Sequence, residues 1–118
     1  MSVAQRAGGV TARAELARVA LEAAVKARGV AAGNAGPDGR YVTAYGDATL
    51  AGVVAAAEGE GRFSVDLFLT AELVPLIALG ERLPGLVHKA AGAQDLGERL
   101  GSVSVTFLDV EHPLGWPS

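Results

Sequence analysis

No cysteine occurs in this 118-residue chain. That removes disulfides, thiolate metal sites and cysteine nucleophiles together, and it fits a reducing compartment. Aromatic residues are scarce, at 5% against 50% hydrophobic residues overall. The core must therefore be built from Ala, Val and Leu, whose small side chains let helix and sheet approach closely. A basic excess is also missing, because the formal net charge is -3. Nucleic acid and anionic lipid both attract a positive field, so neither is favoured as a partner. No apolar run approaches the roughly 20 residues needed to span a bilayer. Met1 to Val10 holds one Arg and no apolar run of signal-peptide length. Ser2 rather than Gly follows Met1, and no C-terminal Cys is present for lipidation. Direct membrane insertion is not expected; a membrane location would require a partner.

What is present reads as one domain over residues 11–111, between a flexible N-terminus, 1–10, and an irregular tail, 112–118, that contains Trp116. Thr11 is suited to N-cap a helix from Ala12 to Arg28, ended by Gly29. Leu16, Val19, Ala20, Ala23 and Ala27 form its apolar face. Glu15, Arg18, Glu22 and Lys26 form a charged stripe that reads as solvated surface. Ala31 to Gly39 reads as a loop. Tyr41 to Tyr45 and Leu50 to Ala57 are strand candidates, and Glu58-Gly59-Glu60-Gly61 is a hairpin connection. In Arg62 to Thr70, Phe63, Val65, Leu67 and Leu69 alternate with polar residues, a clear strand in which Phe68 breaks the polar face. Pro75 opens a second helix carrying Leu76, Leu79, Leu83, Val87 and Ala90. Pro84-Gly85 must kink that helix or split it. Asp95 to Leu100 reads as a short helical turn, and Val103 to Val110 as the last strand.

This order predicts an α+β two-layer sandwich: a mixed three- to four-stranded sheet with two main helices packed on one face. The strands flanking the second helix would pair in parallel. Strict alternation then places Phe68, Leu108 and Val110 on the open sheet face, a candidate interface.

The chemistry-bearing residues are dispersed. The histidines are His88 and His112, without an HExxH-type spacing. Asp109, Glu111 and His112 are the nearest approach to a metal cluster, and a solvated strand end accounts for them. Asp66 on the open face and Asp109 toward the helices are not expected to converge for acid–base work. Glu58 and Glu60, in the hairpin turn, read as solubilising charge. No serine lies in a GxSxG elbow, and no phosphate-binding glycine loop is present. No catalytic, cofactor-binding or metal-ligating residue is expected. Gly36-Pro37-Asp38-Gly39, followed by Arg40, matches the bare GxxG of KH-type RNA-binding loops. Gly36, Gly39 and Arg40 are the contact residues of that alternative.

Four stretches carry a family resemblance: the Ala-rich first helix ending in Gly29-Val30, the strand GRFSVDLFLT, Val74-Pro75 and SVSVTFLDV. Together they resemble the bacterial alkaline shock protein family, the envelope stress response proteins, from about Val10 to Glu111. The resemblance implies a non-enzymatic cytoplasmic protein of the envelope stress response. It implies a homo-oligomer that reaches the inner face of the membrane through an integral-membrane anchoring partner. It assigns no catalytic residues.

Overall fold

The computed structural model describes residues 11–111. The expectations for 1–10 and 112–118, His112 and Trp116 among them, lie outside the described residues. Helix α1 (Ala12–Val25) starts at Thr11, whose hydroxyl accepts the Ala14 N–H. It ends at Lys26, before the expected Arg28, and Gly29 turns the chain at φ +100°. Ala14, Leu16, Ala17, Val19, Ala20 and Ala24 form its buried stripe.

A strand then appears where a loop was expected: β1 (Val30–Gly33). Next comes the β2 (Val42–Tyr45) and β3 (Ala48–Ala51) hairpin, paired antiparallel. Leu50 to Ala57 is not one strand, because Gly52 separates β3 from β4 (Val53–Gly59). Gly52 lies at φ +96°, and an ideal Cβ there would come within 2.6 Å of Asn34 N, Gly33 Cα and Phe68 O. Only glycine lets three backbones meet so closely.

The expected tight hairpin leads into β5 (Arg62–Ala71), with Val65, Leu67, Leu69 and Ala71 fully buried on one side. Helix α2 (Leu76–Ala93) runs through Pro84 without splitting. Proline removes one backbone bond. Burial of Leu79, Leu83, Val87 and Ala91 on the same helix outweighs that loss. Ala91, rather than Ala90, completes the buried stripe. A 3-10 turn (Gly97–Arg99) joins α2 to β6 (Leu100–Val110).

The fold is α+β. β5 is the centre of the four-stranded sheet and pairs antiparallel with β1 and β4 and in parallel with β6. β4 pairs with Arg62 to Leu67, β1 pairs with Leu69 to Ala71, and β6 runs along nearly all of β5. β1 and β4 therefore share one side of β5, and β6 has the other to itself. The helices pack over the sheet, α1 on β4 and α2 on β6, and close one apolar core.

Candidate functional site

The open face of the sheet is not the apolar patch that alternation predicts. Along β6 the register slips twice, once between Phe63 and Val65 and once between Leu69 and Thr70 of its partner. The second slip places Asp109 beside Thr70 and Val110 beside buried Ala71. Paired residues of a parallel ladder share a face, so Val110 turns to the helix side and Asp109 to the open side. This reverses both expectations. Leu108 sits in the bulge, 37% exposed. Phe68 is covered from within the chain: the Tyr41 ring stacks on it at 3.9 Å and 8°. Phe68, Leu108 and Val110 therefore do not form one exposed patch. The open face instead presents hydroxyls and carboxylates, and Ser104 Oγ donates to Asp66 Oδ1 at 2.6 Å. Asp66 and Asp109, on the same face, remain separated along the strands because Asp66 is paired with Ser104 and Asp109 with Thr70.

The GxxG loop is closed on itself. Gly36 N donates to Asn34 Oδ1 at 2.8 Å and Gly39 N donates to Gly36 O at 3.1 Å. Those amides are the groups a phosphate-cradling loop must leave free. A Cβ on Gly36 would come within 2.7 Å of the Tyr41 ring, so this glycine makes room for the Tyr41–Phe68 stack. Arg40 pairs with Asp38 at 3.5 Å. The loop joins two strands, and its local features serve the fold.

The remaining polar groups also hold elements together. The α1 stripe is partly structural: Arg18 bonds Glu15 and Glu22, and Tyr45 Oη donates to Glu15 Oε1 at 2.8 Å, pinning the β2–β3 hairpin to the helix. The Arg18 hydrogen bond holds the Glu15 carboxyl below its usual range against the effect of burial, with Tyr45 helping. The same Glu15 contact raises the Tyr45 phenol. Glu58 does more than solubilise the turn. Its Oε1 accepts from Ser102 Oγ at 2.9 Å and from Ser102 N at 3.3 Å, at the first slip of β6. A Cβ on Gly101 would overlap that carboxylate, 2.0 Å from Oε2. Among the described residues, no group of three or more His, Cys, Asp or Glu converges to hold a metal. A shallow groove of about 310 Å³ between the helices is lined by Arg18, Glu22, Lys26, Leu86 and Ala90, with Arg18 already engaged by Glu15 and Glu22.

The sheet edges differ in a way the sequence did not announce. On β4, Val53 O accepts from Thr43 Oγ1 at 2.7 Å and Ala55 O from Arg13 Nη1 at 3.0 Å. Side chains thus occupy that edge. On β5, Phe68 N and O bond toward β4 and β1, at Gly52 O and Asn34 N. Backbone groups alternate direction along a strand, so Leu67 and Leu69 point toward β6. A parallel ladder then engages Ser104 and Thr106 of β6 and leaves the N–H and C=O of Val103, Val105 and Phe107 pointing outward. Farther along the same edge Val110 N donates to Asp109 Oδ1 at 2.9 Å, but no side chain among the described residues bonds to Val103, Val105 or Phe107.

Its composition also lacks the usual edge protection. Leu100 to Val110 contains no proline, no lysine or arginine, and one charge, Asp109. Above this edge, an ideal Cβ on Gly80 of α2 lies 3.6 Å from Phe107 Cε2. Leu86 and Ala90 face the groove toward α1. The other flank, with Ile77 and Pro84 three before and four after Gly80, therefore borders β6. Ile77 is 80% exposed. No helix among the described residues is long and apolar enough to cross a membrane. Comparison with known proteins matched no family model, no curated protein and no solved structure.

Proposed function

We propose that this protein is a non-enzymatic interaction or scaffold protein of the bacterial cell-envelope stress response. It self-associates and is held at the inner face of the membrane by an integral-membrane partner. The resemblance to the alkaline shock proteins motivates the biological setting. The observation that carries the partner-binding part of this reading is the outward row of backbone groups on β6, at Val103, Val105 and Phe107, beside exposed Ile77, whereas self-association rests on the resemblance. Exposed backbone edges with apolar flanks are sites where chains join. The polar groups described above are engaged in joining elements of the fold, which supports a binding role over catalysis.

Sedimentation of the purified protein across a concentration series, with fractionation of the native bacterium, tests the reading. The expected results are mass that rises with concentration and protein in the membrane fraction. A strict monomer that is absent from membranes would overturn it.

A further inference from the structure

We propose that the β6 edge is a strand-addition site for an extended segment of a partner protein, with apolar side chains on alternate positions. This deepens the interaction reading above and rests on it. The two sheet edges contrast. Thr43 and Arg13 occupy carbonyls on β4, whereas the outward groups of Val103, Val105 and Phe107 have no such cap among the described residues. An added strand would satisfy them by continuing the ladder.

The helix above β6 limits what kind of chain fits. α2 lies over β6 itself, with Gly80 at Phe107. Two copies joined edge to edge through β6 would place their α2 helices over neighbouring strands, about 5 Å apart. Packed helices need about 8–10 Å between axes. In a same-face antiparallel pairing the α2 helices therefore oppose a second copy at this edge, and self-association would use another surface. A bare strand meets no such obstacle.

The side chains along the edge set the chemistry of the segment. Its side chains facing the helix layer would meet Ile77, Pro84 and Phe107, which favours valine or another apolar residue at every second position. The intervening side chains would lie beside Ser104 and Thr106, which favours hydroxyl groups. Asp109 and Glu111 close the C-terminal end of β6, so a basic residue suits the end of the segment beside them.

The probe is a short peptide of alternating valine and threonine with an N-terminal lysine, added to the full chain. Amide exchange is read residue by residue. Protection is expected to rise about tenfold or more at Val103, Val105 and Phe107. The same peptide N-methylated at alternate residues loses its donors, and should bind about tenfold more weakly or not at all. Ile77→Glu should weaken the unmodified peptide severalfold without changing Tm, because the side chain is exposed. Equal binding of the methylated peptide, or no gain at these three amides, would overturn the proposal. Self-association retained without that gain would remove strand addition and leave the broader reading standing. Protection gained by a strictly monomeric protein would support strand addition and remove self-association.

Discussion

Replacing Pro84 with alanine should make this protein more stable. Pro84 is the ninth residue of an eighteen-residue helix that continues on both sides of it. It has no N–H to donate to the carbonyl of Gly80, one turn earlier, and its ring crowds that carbonyl. Proline in a helix interior is about 3 kcal/mol less favourable than alanine. That figure already includes the unfolded chain, and the partly buried ring contacts that alanine loses offset about 1 kcal/mol of it, which leaves a gain of about 2 kcal/mol for Pro84→Ala. For a domain of this size that corresponds to a rise in Tm of about 8 °C or more. Thermal melts followed by circular dichroism, together with urea titrations, would measure it. The urea midpoint should rise with an unchanged slope. An unchanged or lower midpoint would show that the ring's packing beside β6 outweighs the helix penalty, and would refute the reasoning.

Other substitutions probe other joints. Gly52→Ala should destabilise by about 3 kcal/mol or prevent folding, because a left-handed backbone and three contacts of 2.6 Å oppose a Cβ; a urea midpoint within error of the parent would contradict this. Glu58→Gln should lose about 1 kcal/mol or less and speed exchange of the Ser102 amide, while Glu60→Gln changes neither. The Glu15 site should shape the pH profile of stability. Its folded carboxyl titrates below the ordinary value, so its stabilisation is complete above that value and is lost as pH falls through the lowered one. Tyr45 titrates above its ordinary value, so its share is complete below that value and is lost as pH rises through the raised one. Urea midpoints across pH should flatten at the acid end in Glu15→Gln and at the alkaline end in Tyr45→Phe; profiles parallel to the parent would refute the assignment.

The elements with strong periodicity were legible. β5 alternates cleanly, the Glu58 to Gly61 turn is rich in glycine, and α1 and α2 carry apolar residues at helical spacing. β1 was not legible, because Val30 to Gly33 is short, small and adjacent to a run of glycines. Its existence depends on the distant edge of β5 that it joins. The break at Gly52 was hidden for a related reason, since a crossing of three backbones leaves only one glycine in the sequence. The largest departure from alternation at the candidate site is the slip at Leu108. Alternation assumes an unbroken ladder, and one extra residue sends Asp109 and Val110 to opposite faces from those expected. Edge status was equally invisible. Whether SVSVTFLDV is central or peripheral depends on which strands pair, and the Arg13 and Thr43 caps on β4 join residues far apart in the chain.

The central claim is that the folded chain keeps one long strand edge open for a partner. Native-state amide exchange of the dilute protein alone tests it most directly. The account predicts alternation along β6: Ser104 and Thr106, bonded to β5, exchange slowly, while Val103, Val105 and Phe107 exchange fast. Uniform slow exchange along the strand would mean that the chain already covers this edge, and would contradict the account.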